Sequence, residues 1–181
     1  SSTVDIEHCT NTANVTYTAS ATYKVNNATR YYHNYLGGIV GYANNAAIRG
    51  DSSTHCTNSG IIKGGDGAAN NNTNGDTVVP SFIVGGIVGY LAGESSVEYC
   101  ELSGSGQAYN DHWSNRGIVN YDCPMNGGIA GFVVGTDGTP ITVSHCNVSS
   151  TSGTDGNTAV YSRRGAVGGI VGMAKYATVY L

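Results

Sequence analysis

Four near-identical glycine strings, spaced 41 to 48 residues apart, constrain this chain more than any other feature. They are Gly37-Gly38-Ile39-Val40-Gly41, Gly85-Gly86-Ile87-Val88-Gly89, Gly127-Gly128-Ile129-Ala130-Gly131 and Gly168-Gly169-Ile170-Val171-Gly172. An aromatic residue or Met follows each one: Tyr42, Tyr90, Phe132 and Met173. A second string keeps step with the first. It places an apolar β-branched residue three positions before a cysteine, at Ile6 and Cys9, Val97 and Cys100, and Val143 and Cys146. The second copy keeps Cys56 and puts Ser53 at the apolar position. Self-similarity at periods of about 20 to 50 residues is the signature of stacked repeat architectures.

Each unit carries two short apolar segments and much polar sequence, so it cannot bury a hydrophobic face alone. Stacking units at about 4.8 Å lets backbone groups pair between neighbours while Ile, Val and Cys line up inside. The expected fold is therefore all-β: a β-solenoid, or β-helix, of about four stacked repeats with variable loops. The repeats run over 1–45, 46–94, 95–139 and 140–176 within a single domain over 1–181, and residues 177–181 open a fifth. On this reading the chain belongs to a longer array. One strand is expected in each glycine string and one in each cysteine string. A third, less regular strand is expected in the intervening segments, as at 77–84 and 158–161. Residues three apart in a flat strand face opposite sides, so a corner must separate the apolar residue from its cysteine.

Composition points the same way. Charged residues make up 11% of the chain, Gly reaches 27, and Phe and Met number two each. Helical domains carry roughly 25% charged residues and favour Ala, Leu, Glu and Lys. A net charge of −4 with scattered Lys and Arg offers no basic stripe, so nucleic acid is not expected as a partner. No apolar run reaches the roughly 18 residues a membrane helix needs, so membrane insertion is not expected either. The opening Ser1-Ser2-Thr3-Val4-Asp5 lacks the basic and apolar regions of a signal peptide, as a mature or excised segment would.

The Gly-Gly-Ile-Val-Gly-Tyr string, followed by apolar-x-x-Cys-x-Asn-x-Gly, resembles the GLUG-type repeats of bacterial surface and secreted adhesin-like proteins. The resemblance covers nearly the whole chain in four copies, with longer insertions than the family unit. It implies a β-solenoid fold, an extracellular or cell-surface location and no catalytic residues.

The segments 63–76, 104–120 and 149–157 differ most between copies and are expected to form surface loops, where recognition usually resides. Tyr31, Tyr32, Tyr109, His112, Trp113 and Tyr121 are the candidate ligand-binding residues, because loop aromatics offer large contact area to glycans or surface proteins. Cys9, Cys56, Cys100 and Cys146 hold equivalent positions and are expected as a buried row of thiols, with Cys123 apart. No CxxC pair exists, and Tyr99 interrupts the row of His8, His55 and His145, so no metal site is assigned. Gly64-Gly65-Asp66-Gly67 and Gly135-Thr136-Asp137-Gly138 lack the regular series of nonapeptide calcium turns. Arg49-Gly50-Asp51 matches an integrin-binding tripeptide, a match that chance alone supplies in Gly-rich chains. Asn14, Asn27, Asn71 and Asn147 head glycosylation sequons.

The expected function is non-catalytic, with no cofactor. An extracellular structural or adhesion module would lend a surface protein length and stiffness while displaying variable loops. The alternative is a self-assembling filament subunit that stacks on adjacent repeats or copies of itself through open β edges. A fragment of a carbohydrate-active β-helix enzyme ranks third, since Glu7, Glu94, Glu98, Glu101 and Asp111 form no paired-carboxylate motif in the sequence.

Overall fold

The computed structural model of the chain describes residues 3–17, 32–64, 80–110, 125–149, 159–162 and 165–180. Among them there are strands and no helix. The strands are only two to six residues long, too short to hold a sheet without close neighbours on either side. They fall into circuits of five. The first comprises β1 (Val4–Glu7), β2 (Thr10–Asn11), β3 (Val15–Tyr17), β4 (Tyr32–Gly37) and β5 (Val40–Asn44). The second comprises β6 (Ala46–Arg49), β7 (Cys56–Asn58), β8 (Ile61–Gly64), β9 (Pro80–Gly85) and β10 (Val88–Ala92). The third comprises β11 (Ser96–Glu98), β12 (Cys100–Leu102), β13 (Gln107–Asn110), β14 (Met125–Gly127) and β15 (Ala130–Val134). The fourth comprises β16 (Ile141–Ser144), β17 (Asn147–Val148), β18 (Val160–Ser162), β19 (Ala166–Gly168) and β20 (Val171–Lys175), after which β21 (Ala177–Val179) begins again.

Each strand pairs with the strand five places on, always in parallel. The result is five sheets: β1-β6-β11-β16-β21, β2-β7-β12-β17, β3-β8-β13-β18, β4-β9-β14-β19 and β5-β10-β15-β20, called here sheets 1 to 5. Register brings like residues together. Ile6, Ile48, Val97, Val143 and Val179 form one row. Cys56 and Cys100 pair directly. Tyr42, Tyr90, Phe132 and Met173 form another row.

Three strands per unit were expected, and the structure has five. The glycine string is not one strand but the bend between sheets 4 and 5: Gly85 closes β9 and Val88 opens β10. The reason is steric. A Cβ on Gly86 would lie 2.1 Å from the Gly128 carbonyl of the next circuit and 3.0 Å from the Leu102 side chain. Only a bare backbone passes through this waist. The two irregular strands placed at 77–84 and 158–161 also prove to be different elements, since β9 belongs to sheet 4 and β18 to sheet 3.

A further correction concerns the second copy, whose apolar residue is not Ser53 but Ile48. Ile48 pairs with Ile6 and Val97 and is fully buried. It stands eight positions before Cys56 because extra residues loop out between them, which a fixed spacing could not reveal.

Apolar residues gather in three clusters. The largest, lined by sheets 1, 2 and 5, contains Ile48, Cys56, Ile87, Val97, Cys100, Ile129 and Val143. Beyond the glycine waist a second cluster of Leu36, Ile62, Phe82, Val84 and Ala108 fills the space between sheets 3 and 4. A third, Ile83, Met125 and Phe132, packs with Tyr35 and Tyr90 outside the bend of sheets 4 and 5. Buried polar residues also line the waist and the second lobe. Asn58 is fully buried and closes on its own backbone, donating to Gly60 O at 3.0 Å and accepting from Gly60 N, while Asn11 of the circuit below donates to it at 2.8 Å. Asn126 replaces the apolar residues of its row and donates to Tyr161 O at 2.6 Å.

Candidate functional site

The corner between sheets 1 and 2 holds most of the chemistry-bearing side chains. The chain turns there through a left-handed residue, His8 (φ 52°), Tyr99 (φ 49°) or His145 (φ 52°), each directly before its cysteine. Such backbone costs an ordinary L-residue about 1 kcal/mol or more, and its sharp bend sends the next side chain inward. Each inward thiol then donates to a carbonyl just before the corner. Cys9 reaches Glu7 O at 3.4 Å, Cys100 reaches Glu98 O at 3.4 Å and Cys146 reaches Ser144 O at 3.2 Å. Cys56 reaches Arg49 O at 3.3 Å, the equivalent position across the inserted loop. All four are free thiols. Burial pushes the Cys56 thiol up, and hydrogen bonding to Cys146 together with burial pushes Cys100 up. In the native protein, alkylation followed by mass spectrometry should therefore label the half-buried Cys9 well before Cys56 and Cys100, a difference that disappears in denaturant.

Outside the same corner the rings stack. Tyr99 lies 4.7 Å from His145, nearly parallel, and 6.2 Å from His55. Carboxylates flank the row: His55 Nδ1 stands 3.6 Å from Glu101, and His8 Nε2 stands 3.8 Å from Asp51. Glu101 also accepts from Asn147 and Ser149 of the next circuit. Among the described residues no group of three or more His, Cys, Asp or Glu is placed to hold a metal ion.

The Arg49-Gly50-Asp51 tripeptide runs from the last residue of β6 into the inserted loop, and its charged ends are both engaged. Arg49 pairs with Glu7 at 2.8 Å and Asp5 at 3.1 Å. The Asp51 carboxylate accepts from Ser53 N at 2.7 Å, Ser53 Oγ at 2.6 Å and Thr54 N at 2.8 Å. These hydrogen bonds, the Ser53 hydroxyl first, hold Asp51 down at about 2, against an ordinary 3.8. Because the folded value is depressed, its contribution is complete above about pH 4 and is lost as the pH falls toward 2. An NMR titration should place the Asp51 midpoint near 2, and Asp51→Asn should loosen residues 50–55 without disturbing the sheets.

A tyrosine row runs along sheet 5. Tyr42 and Tyr90 stack at 5.2 Å with planes 9° apart, Phe132 meets Tyr90 edge-on at 5.4 Å, and Tyr35 of sheet 4 lies 5.0 Å from Tyr90. Burial pushes the Tyr35 and Tyr90 hydroxyls up, so both stay neutral through the physiological range. These rings were read only as repeat markers in the sequence, yet Tyr42 is half exposed and presents aromatic surface.

Of the candidate ligand-binding residues, Tyr32 and Tyr109 stand in strands, β4 and β13, rather than in loops. Tyr109 is drawn into sheet 3 because its backbone pairs with both Lys63 and Tyr161. Tyr31, His112, Trp113 and Tyr121 lie outside the described residues, as do Cys123, Asn27 and Asn71. Asn14 is exposed and its Oδ1 accepts from Ile61 N at 2.9 Å, whereas Asn147 donates to Glu101 at 3.3 Å. The turn at 135–138 is closed by Thr136 and Thr139, whose hydroxyls lie 2.6 Å apart. Comparison with family models, with curated proteins and with solved structures finds no match.

Proposed function

We propose that the five-strand circuits wind as a β-solenoid of GLUG-like repeats, one circuit per repeat, and that the chain is a non-catalytic extracellular or cell-surface module for structure and adhesion. The observation that supports this is where the recurring residues go. Glycines sit at the waist, thiols bond to corner carbonyls, and rings stack on rings, so the repeated positions are consumed by stacking. What remains free to vary is the sequence between them, and recognition is assigned there, to Tyr31, Tyr32, Tyr109, His112, Trp113 and Tyr121, with glycans or surface proteins as ligands. The test is a glycan and surface-protein binding screen on the 181-residue chain and on Trp113→Ala. Binding should fall at least about tenfold in the variant, while its melting temperature stays within about 2 °C. Polysaccharide cleavage by the chain, or binding indifferent to Trp113, contradicts the reading.

A further inference from the structure

We propose that Cys100 and Cys146 form a reversible disulfide that clips the third circuit to the fourth, with a low-molecular-weight disulfide of the glutathione type as oxidant. The proposal rests on the in-register ladder and not on the adhesive reading. Glu101 pairs with Asn147 and Leu102 with Val148, so the cysteines just before them hold the same level of sheet 2. Ladder partners lie about 4.8 Å apart, inside the roughly 4.4 to 6.8 Å between Cα atoms that a disulfide spans. The corner gives its own measure of the spacing, because the preceding residues, Tyr99 and His145, stack their rings at 4.7 Å with planes 15° apart. The two thiols also take one pose. Cys100 reaches Glu98 O of its own circuit at 3.4 Å and Ile48 O of the circuit below at 3.6 Å, while Cys146 reaches Ser144 O at 3.2 Å and Val97 O at 3.8 Å.

Cys56 pairs with Cys100 in register as well, and the comparison selects the other neighbour. At that corner the rings of His55 and Tyr99 stand 6.2 Å apart and 35° from parallel. The Cys56 thiol reaches Arg49 O across the inserted loop at 3.3 Å, and its sulfur accepts from Cys9 N of the first circuit at 3.3 Å. It is thus engaged on the side away from Cys100.

Oxidation leaves neither of the two nearer carbonyls without a partner. Glu98 O also accepts from Gly50 N at 3.0 Å, and Ser144 O from Tyr99 N at 3.2 Å. A hydrogen bond from Cys100 holds the Cys146 thiol down, against the burial that raises it, so Cys146 is the attacking thiolate. It bonds to one sulfur of the oxidant, whose own S–S bond breaks and releases a small thiolate. Cys100 passes its proton to that thiolate and attacks the Cys146 sulfur, which forms the Cys100–Cys146 bond and expels the second small thiolate. Two electrons move from the protein sulfurs to the oxidant, and the two protons end on the two small thiols. Both cysteines are buried, so the exchange waits for a local opening of the corner and is slow in the native protein. The bond closes a loop over residues 101–145, one whole circuit, and so restricts the unfolded chain.

The test is to equilibrate the folded 181-residue chain with oxidised and reduced glutathione, quench with an alkylating agent and map the linkages by tandem mass spectrometry. Cys100 should be joined to Cys146 in at least about ten times the amount of any other cysteine pair. The linked chain should melt at least about 5 °C above the reduced one, and dithiothreitol should reverse both changes. Cys56→Ala should keep the linkage and the gain, whereas Cys100→Ala and Cys146→Ala should each abolish the gain. Should either of these last variants fail to fold, the linkage map of the unaltered chain decides. A dominant bond to Cys9, Cys56 or Cys123 overturns the proposal. So does a chain that stays unlinked at equilibrium while its circular dichroism remains that of the folded protein, or a linked chain that melts no higher than the reduced one.

Discussion

Replacing Gly86 by alanine should abolish the folded state or cost at least about 3 kcal/mol, while the same change at Gly169 or Gly138 should stay within about 0.5 kcal/mol. One methyl group separates the parent from the variant. On Gly86 it would stand 2.1 Å from the backbone carbonyl of Gly128, a residue whose N–H is bonded to the Gly169 carbonyl of the following circuit, so no flexible side chain can yield. On Gly138 it meets open space. Gly169 occupies the same position in its string as Gly86 but has nothing within 4 Å of an added Cβ, so the pair separates crowding from any intrinsic preference of the string. Urea unfolding at low protein concentration reads the difference. Equal losses at Gly86 and Gly169 would mean that the string is glycine-rich for a reason internal to each unit.

The second large effect is expected from Phe82→Ala, at about 3 to 5 kcal/mol. Phe82 is fully buried in the smaller lobe between sheets 3 and 4, with Leu36, Ile62, Val84 and Ala108 around it and the Tyr17 ring 5.4 Å away. The lobe has few other large side chains, so the cavity cannot refill from nearby. Each circuit contributes strands to both lobes, and the damage should therefore reach the whole molecule. Unfolding followed by tyrosine fluorescence and by far-ultraviolet circular dichroism should shift together with an unchanged slope against urea. A two-step transition in which only one probe moves would show that the lobes are independent.

The parts legible in the sequence were those in which a residue type recurs because its neighbour one circuit away is the same. Parallel in-register pairing turns sequence identity into spatial contact, so Cys56 and Cys100, or Tyr42 and Tyr90, announce their rows directly. The corner before each cysteine was also legible, from the conflict between a three-residue spacing and a flat strand, and it falls at His8, Tyr99 and His145. Of sheet 3 only the last strand was legible, where the segment 158–161 overlaps β18. Its strands Val15–Tyr17, Ile61–Gly64, Gln107–Asn110 and Val160–Ser162 share no motif, and their extended form comes from ladders on neighbouring strands rather than from their own composition. Ile48 was missed because a loop tied down by Asp51 moved it away from Cys56. The outer tyrosine face was overlooked for the opposite reason: a residue that marks a repeat so plainly gave no sign that Tyr42 also meets solvent.

The most direct test of the stacked circuits is a methyl-labelled nuclear Overhauser experiment on the 181-residue chain. Ile48 should show contacts to Ile6 and Val97, and Val97 to Val143, pairs more than 40 residues apart in sequence that lie side by side only in a parallel ladder. Contacts confined to residues near in sequence, or a reversed pattern joining β6 to β11 antiparallel, would contradict the account.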